Sequence, residues 1–347
     1  MPSEKQRDRM AAASSPAGRY ILFALAWLIL ICLLQYHFEH QCEERPVIRM
    51  GYMPVITNLA APLLDEASRT AGNYRFRALK FSSFAEMADA LRNGHLEAAF
   101  IIAPLAIVLR HDGEDVKVVY IGNRHESTLV TRRDLKIRKI EDLAGRTLAV
   151  PMRYSGHNLE ARRLIDRKAI SPPIRIVEMN PPDMASALAS GGLDAYFVGE
   201  PFAAQTILSG DSEVLYYVEK LQPHFICNLL LVRQKMIAQN TAAVQALVSA
   251  AVRSGFWAQA HPDQAAAIAS RYWNQDEETI HYALTTPANR IEYDRYLPDA
   301  GELQQLARLM VRYRLLDNGK ITGLVDNRFA KAASRKNITD LESILRR

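Results

Sequence analysis

The sequence predicts an α/β protein of two similar lobes around a ligand cleft, preceded by one apolar helix. Two segments carry this prediction, because each reads as a helix, a glycine, an acidic and apolar strand, and a proline that opens another helix. They are SFAEMADALRNGHLEAAFIIAP (residues 83–104) and PPDMASALASGGLDAYFVGEPF (residues 181–202). Strands that alternate with helices predict Rossmann-like lobes, each with a parallel sheet covered on both faces.

Length and composition agree with this fold class. The 347 residues suit a membrane segment and two lobes of roughly 100 to 150 residues each. The 43 Lys and Arg residues are nearly balanced by 38 Asp and Glu residues and are interspersed with them, so we expect no nucleic-acid partner. Cys32, Cys42 and Cys227 form no CxxC pair, and no metal site is predicted. A Cys42–Cys227 disulfide is an open alternative outside the cytoplasm.

The N-terminal region predicts a membrane anchor. Residues 1–19 are polar and net basic, as in a cytoplasmic tail, and residues 20–38 would form an apolar helix about 28 Å long. Because residues 27–50 contain no Ala, Gly or Ser for a signal peptidase, we favour an uncleaved anchor in the inner or cytoplasmic membrane. A cleavable signal peptide and lipoprotein processing at Cys32 are the alternatives. All three would export the rest of the chain, which begins with a connector at residues 39–46.

Lobe 1 is predicted from residues 47–126 together with residues 233–347. Apolar runs and helical periodicity place its elements as follows: strands 47–52, 75–81, 97–102 and 116–121; helices 59–71, 84–92, 241–260, 263–272, 276–284 and 301–315. The basic tail 328–347 is predicted to be a helix or a frayed end.

Lobe 2 is predicted from residues 127–232. Its expected elements are strands 127–131, 147–150, 174–178, 193–198 and 214–217, helices 157–168, 183–190 and 201–208, and a returning apolar run at 227–232. Two extended crossovers between the lobes would act as a hinge.

The loops that follow the strands supply the candidate ligand contacts, because such loops line the cleft in this architecture. From lobe 1 the candidates are Pro54, Thr57, Asn58, Ser82, Ser83, Phe84, Ala103 and Pro104. From lobe 2 they are Arg153, Tyr154, Ser155, His157, Asn158, Glu200 and Pro201. Several of these loops open helices, whose free amides favour an anion, whereas the carboxylate of Glu200 suits an amine or ring N–H.

Each candidate also has a purely structural interpretation. Thr57 and Asn58 are good helix caps with or without a ligand, and His157 could cap a helix or face water. Phe84 fits the apolar core, and Glu200 could complement a helix dipole. The sequence has no GxSxG, HExxH, P-loop or strand-linked GxGxxG motif, so we expect neither catalysis nor a cofactor.

Four segments resemble the solute-binding proteins of ABC importers in the nitrate, bicarbonate, sulfonate and taurine group, whose relatives also bind thiamine precursors. They are IRMGYMPVITNLAAPLL (48–64), FSSFAEMADALRNGHLEAAFIIAPLAIVLR (81–110), DLAGRTLAVPMRYSGHN (142–158) and VEMNPPDMASALASGGLDAYFVGEPFAA (177–204). The resemblance implies a type II periplasmic binding-protein fold and a ligand site at Pro54, Thr57, Asn58, residues 82–84, Ser155, His157 and Glu200.

The resemblance further implies a periplasmic, monomeric head that delivers a small organic solute to an ABC permease and its ATPase. The solute is expected to be sulfonate-like or to bear an amine or heterocycle, because the aromatic and lysine pattern of nitrate and bicarbonate binders is not found. One alternative is a membrane-tethered module that senses a ligand. Another is an enzyme of the thiamine-pyrimidine-synthesis type, although the cysteine-rich motif of those enzymes is missing.

Overall fold

The computed structural model describes residues 16–40 and 45–346, with side chains for 18–35 and 45–346. Residues up to Pro46 and residues from Val47 onward form two separate units. In the first unit, helix α1 (Pro16–His40) contains the stretch Gly18–Gln35, whose mean hydropathy of 1.9 and length allow it to cross a bilayer. A signal sequence has the same properties. The alternative of a Cys42–Cys227 disulfide involves Cys42, which lies outside the described residues, as does most of the predicted cytoplasmic tail.

The second unit contains two five-stranded sheets within the described residues, and the two sheets have equivalent strand orders. The strands are β1 (Val47–Tyr52), β2 (Arg75–Lys80), β3 (Ala98–Ile102), β4 (Val116–Ile121), β5 (Ser127–Arg132), β6 (Thr147–Val150), β7 (Arg175–Glu178), β8 (Ala195–Gly199), β9 (Ser212–Tyr217) and β10 (Asn228–Arg233). The first sheet has the order β2-β1-β3-β10-β4, and the second has the order β7-β6-β8-β5-β9. The predicted α/β fold with two lobes is confirmed.

The prediction of purely parallel sheets was wrong, because one inner strand of each sheet runs the other way. Strand β10 is antiparallel to β3 and β4, and β5 is antiparallel to β8 and β9. Both strands arrive from the opposite lobe, so they enter at the edge where β3 and β8 end. A strand that starts where its neighbour finishes must run antiparallel to it.

Strand β10 lies in the first sheet. The sequence-based prediction ended lobe 2 at Val232 and therefore placed the apolar run 227–232 in lobe 2. A continuous apolar run indicates a buried strand but does not identify its partners. We define lobe 1 by the first sheet and lobe 2 by the second. We propose the boundaries at the two crossovers, residues 122–126 and residues 218–227.

Helices cover both faces of each sheet. They are α2 (Ala60–Ala67), α3 (Phe84–Arg92), α4 (Ala103–His111), α5 (Gly156–Lys168), α6 (Pro181–Ala189), α7 (Phe202–Ser209), α8 (Gln234–Gln239), α9 (Thr241–Ala260), α10 (Pro262–Trp273), α11 (Glu277–Thr285), α12 (Ala300–Arg312) and α13 (Arg328–Lys331). Side chains alternate between the faces: Phe100 and Ile101 of β3 belong to different apolar clusters, and so do Tyr196 and Phe197 of β8. Strands buried on both faces are therefore apolar throughout.

The C-terminal tail packs against lobe 1. Arg253 on α9 is buried, and its guanidinium donates hydrogen bonds of 2.7 to 3.2 Å to the carbonyls of Ser334, Lys336, Asn337 and Ser343. One side chain thus satisfies carbonyls of a segment with little regular structure, which explains why the tail is folded rather than frayed.

Candidate ligand site between the two sheets

The two lobes touch directly at the mouth of the cleft. The loop after β1 crosses to lobe 2, where Val55 packs into the apolar cluster of Val198 and Phe202. The Ile56 amide donates a 2.8 Å hydrogen bond to the Glu200 carbonyl. From the other side, Leu159 of α5 packs into the lobe 1 cluster that contains Phe84. The second unit is therefore in a closed conformation.

The floor of the cleft is formed by the ends of the two crossovers. In lobe 2, Ser127 pairs with Gly199 and the Glu200 amide donates to the Glu126 carbonyl at 3.0 Å. In lobe 1, Asn228 pairs with Ile102, and the Ala103 amide donates to the Cys227 carbonyl, also at 3.0 Å. The strand registers are equivalent in the two sheets. In each sheet, the strand that follows a crossover begins beside the end of the central strand, and both of these places lie at the floor of the cleft.

A chain of buried polar groups joins this floor to the second lobe. His157, near the N-terminus of α5, has its Nε2 2.9 Å from Ser127 Oγ, and that hydroxyl donates to Glu126 Oε1 at 3.0 Å. When Glu126 is ionised and accepts the hydroxyl proton, His157 donates from Nε2, which leaves Nδ1 as an acceptor. Burial lowers the pKa of His157 to about 3, so this ring is neutral. Its Nδ1 is buried and makes no hydrogen bond.

The first lobe contributes polar groups to the same floor. The Asn228 amide donates to Asn58 Oδ1 at 2.8 Å, and Asn58 in turn donates to the Met53 carbonyl at 3.0 Å. Its neighbour Thr57 is 2% exposed, and the Thr57 hydroxyl makes no hydrogen bond to nitrogen or oxygen, although it lies close to the Cys227 thiol. Thr57 Oγ1 and His157 Nδ1 are therefore buried polar atoms with capacity left for a ligand.

Two carboxylates and one guanidinium set the electrostatics of the site. Burial raises the pKa of Glu126 to about 7, and burial also raises the pKa of Glu200, an effect that Arg290 opposes. Arg290 Nη1 lies 3.7 Å from Glu200 Oε1, while its Nε lies 3.2 Å from Glu219 Oε1. Its guanidinium also stacks over the Tyr217 ring at 4.3 Å. The positive charge of Arg290 is thus shared between two carboxylates, while its Nη1, like Thr57 Oγ1 and His157 Nδ1, is buried and makes no hydrogen bond.

Glu200 has a structural role in the closed conformation. Its Oε1 accepts from the Thr128 hydroxyl at 2.6 Å, and its Oε2 accepts from the Ala204 amide at 2.8 Å. The carboxylate therefore caps the first turn of α7 and complements the helix dipole. This is the structural interpretation that the sequence left open for Glu200.

The structure gathers some of the sequence candidates and disperses others. Thr57, Asn58, His157 and Glu200 join the buried polar floor, and Ser155 caps α5 by accepting from the Asn158 amide at 3.1 Å. The candidates with buried positions in the cleft loops are Pro54, Ala103, Pro104 and Pro201. Tyr154 is half-buried against the lobe 1 cluster.

The remaining candidates have partners away from the floor. Arg153 is exposed and pairs with Glu178 at 2.8 Å, and Asn158 donates to the Arg153 carbonyl at 2.7 Å. Ser82 is exposed and Ser83 is half-buried, while Phe84 is 6% exposed in the core, which matches its structural interpretation.

Five residues of the buried polar floor were not among the sequence candidates. They are Glu126, Ser127, Cys227, Asn228 and Arg290. The first four could have been found, because they are polar residues at the start of apolar crossover strands, where the chain passes between lobes. Arg290 carries no such signal, since it follows a helix of the C-terminal region.

Comparisons with known proteins agree with the fold. The model of the NMT1-like family matches residues 41–272. An aliphatic sulfonates-binding protein of Bacillus subtilis is 24% identical over 216 residues, which are 59% of this chain and 61% of that relative. The match thus spans less than two thirds of the relative's length.

Solved structures share the architecture. The ligand-binding component of an ABC-type import system from Staphylococcus aureus, with zinc bound, superposes with a TM-score of 0.75 at 22% identity, covering 84% of this chain and all of that one. The periplasmic aliphatic sulphonate-binding protein of Escherichia coli gives a TM-score of 0.66 at 18% identity, covering 80% of this chain and 95% of that one. At these identities the similarity shows the fold alone.

Proposed function

This chain belongs to the NMT1-like family, and from that premise we propose that it is the extracytoplasmic solute-binding component of an ABC importer. The proteins similar to it include the ligand-binding component of an ABC-type import system, and the names of two others refer to aliphatic sulfonates. The apolar helix α1 would lead the second unit across the membrane and hold it there. The permease and its ATPase would be its partners.

The observation that carries the proposal is the buried polar floor between two lobes that share a hinge. A solute that contacts both Thr57 of lobe 1 and His157 of lobe 2 would be held only when the lobes are closed. Such a solute shifts the population toward the closed state by the contacts that the open state lacks. The closed protein is the form that a permease could distinguish from the empty one.

The charges of the floor favour a solute that donates hydrogen bonds over one that carries a sulfonate. His157 Nδ1 is an acceptor, and Glu126 and Glu200 are buried carboxyl groups. The guanidinium of Arg290 already lies between Glu200 and Glu219, and Arg153 is engaged at the surface. An amine or a nitrogen heterocycle with ring N–H groups would satisfy this set, whereas a sulfonate would face two carboxyl groups.

A thermal-shift screen of the full chain in detergent tests the solute class. Amines, nitrogen heterocycles and alkanesulfonates are added separately, and a ligand at 100 times its dissociation constant stabilises the protein by about 2.7 kcal/mol. We expect stabilisation by members of the first two classes. Stabilisation by alkanesulfonates alone would contradict the proposed class while leaving the importer role standing.

Calorimetric titration of a compound found in that screen tests the site. We expect Glu126→Gln and His157→Phe each to weaken binding at least tenfold, because each removes an acceptor from the floor. Glu178→Gln is the matched control, since Glu178 pairs with Arg153 on the exposed side of lobe 2. Equal affinity in all four proteins would place the solute elsewhere.

Reconstitution tests the importer role separately from binding. The full chain is placed in liposomes with a candidate ABC permease and ATPase from the same organism, and solute-dependent ATP hydrolysis and uptake are measured. We expect both activities to require this chain. Tight solute binding without uptake would assign the chain to ligand sensing, and conversion of the solute would assign it to the enzymes.

A further inference from the structure

A second cluster of ligating side chains lies at the hinge, outside the floor described above. It consists of His125 in the first crossover, His224 in the second crossover, and Glu292 in the segment after α11. The ligand atoms that these three residues offer all lie within 4.8 Å of one another. We propose that His125, His224 and Glu292 form a hinge site for a divalent transition-metal ion of the zinc type.

The distances fit one small ion. His224 Nδ1 lies 3.1 Å from Glu292 Oε2, and His125 Nδ1 lies 3.8 Å from Glu292 Oε1. A tetrahedral zinc ion binds nitrogen and oxygen at about 2.0 to 2.2 Å, which separates neighbouring ligand atoms by about 3.3 Å. The two pairs use different oxygens of the Glu292 carboxylate, so side-chain rotations would bring both imidazole nitrogens and one oxygen to that separation.

The donor set selects the class of metal. Two imidazoles and one carboxylate suit zinc, cobalt, nickel or copper, whereas calcium and magnesium prefer oxygen ligands. Three protein ligands leave a fourth position to water. His125 is 7% exposed, while His224 and Glu292 are half-buried, so solvent can reach the site from one side.

The backbone already holds the three residues together. Arg124 and Glu292 form an antiparallel bridge, in which the Arg124 amide donates to the Glu292 carbonyl at 2.9 Å and the reverse bond is 3.2 Å. The Arg124 guanidinium donates to the His224 carbonyl and pairs with Glu302 at 2.8 Å. The imidazole rings of His125 and His224 stack with centroids 5.9 Å apart. The three side chains are thus held close together before any ion binds.

Metal binding at this site would be coupled to the contact between the crossovers. His125 Nε2 now accepts the His224 amide at 2.8 Å, which places the ring proton of the neutral imidazole on Nδ1. A metal on Nδ1 requires the proton on Nε2, so the bound ion replaces that hydrogen bond as the link between the two crossovers. Because the crossovers are the hinge, the ion would fix their relative geometry.

Titration with zinc chloride tests the proposal. The full chain in detergent is used without a histidine tag, with Cys32→Ser and Cys42→Ser to remove competing thiols, and after treatment with a chelator. We expect one zinc ion per chain by calorimetry. Cobalt substitution should give the intense visible absorption of four-coordinate cobalt rather than the weak bands of the hydrated ion.

Three variants locate the ion. His125→Asn and His224→Asn keep the left-handed backbone, where φ is 69° and 58°, and Glu292→Gln keeps the antiparallel bridge. We expect each variant to weaken zinc binding at least tenfold and to keep a cooperative unfolding transition without zinc. His281→Ala is the control, because His281 pairs with Asp263 at the surface, and its zinc affinity should not change.

Two results would overturn the proposal. One is the absence of stoichiometric zinc binding by the parent protein at micromolar concentrations. The other is a single zinc ion that all three variants bind with unchanged affinity, which would place the ion at other ligands. Both results are independent of the organic solute and of the importer role.

Discussion

The two sheets share one strand order, but they bring different chemistry to the cleft. At equivalent places, lobe 1 presents Cys227 and Ala103, whereas lobe 2 presents Glu126 and Glu200. The lobe 1 pair is small and uncharged, and the lobe 2 pair consists of two carboxyl groups. A repeated backbone frame therefore carries an asymmetric floor, with the carboxyl groups on one side.

The asymmetry depends on a residue from a third region. Arg290 follows α11, and its guanidinium reaches Glu200 and the Ser127 carbonyl in lobe 2 and Glu219 in the second crossover. Helix α11 also packs against α7 of lobe 2. The strands therefore determine where the floor lies. The C-terminal region supplies Arg290, whose positive charge compensates carboxyl groups that only lobe 2 presents at the floor.

The largest expected effect comes from removing that compensation. Arg290→Met should lower the free energy of unfolding by about 3 to 5 kcal/mol, because Glu200 is buried and loses its positive partner. Urea denaturation monitored by circular dichroism measures the loss. Adding Glu200→Gln to this variant should recover part of it.

Arg153→Met is the control for this prediction. Arg153 also pairs with a carboxylate, but its side chain is 61% exposed, so its loss should cost at most about 1 kcal/mol. Losses of equal size for Arg153→Met and Arg290→Met would contradict the assigned role of Arg290.

The next effect concerns pH and Glu126. Because burial raises the folded-state pKa of Glu126 to about 7, the folded protein holds a proton that the unfolded chain releases near pH 4.5. The contribution of Glu126 is fully present below pH 4.5 and is lost as pH rises to 7, a change on the order of 3 kcal/mol. Free energies of unfolding at pH 5 and pH 8 measure it.

Glu126→Gln isolates this contribution. The lowered pKa of His157 acts in the opposite direction, since its contribution is lost as pH falls below 6.5, so the wild type and the variant must be compared directly. We expect the variant to gain stability relative to the wild type as pH rises from 5 to 8. A constant difference between the two proteins would show that Glu126 is not buried as described.

A smaller loss of stability is expected when a carboxyl group of lobe 2 is replaced by the residue at the equivalent position of lobe 1. Glu200→Ala reproduces the alanine found at the equivalent position 103 and should cost about 1 to 3 kcal/mol, because Thr128 and the Ala204 amide lose their acceptor. Thermal unfolding followed by calorimetry measures the cost. Glu178→Ala, at an exposed pair, should change stability by less than about 1 kcal/mol, and an equal cost would refute the capping role.

The smallest effect is expected at Cys227. Its thiol is 4% exposed, and burial raises its pKa well above the usual range, so it should not react with a thiol reagent in the folded protein. With Cys32→Ser and Cys42→Ser in place, one thiol per chain should become reactive only on unfolding. Fast reaction of the folded protein would mean that the floor is open.

The sequence predicted the elements well because their signals are local. The repeated segments 83–104 and 181–202 correspond to α3 with β3 and to α6 with β8, which occupy the centres of the two sheets. Apolar periodicity and the bounding glycines and prolines specify such units without knowledge of their partners.

The composition of the site could be predicted only in part, because it depends on contacts between distant residues. Arg290 and Ser127 are 163 residues apart, and nothing near Arg290 indicates that it reaches the cleft. The sheet to which β10 belongs was misassigned for the same reason. Glu126 was missed because a charged residue before an apolar strand ordinarily lies at the surface.

Native mass spectrometry of the full chain tests the central claim most directly. We predict that the wild-type protein, released from detergent under gentle conditions, carries a bound small molecule with a basic or hydrogen-bond-donating nitrogen. The variant with Glu126→Gln and His157→Phe should lose this molecule, and the Glu178→Gln control should retain it. Equal occupancy of the same molecule in both variants would contradict a solute site at the floor between the two lobes.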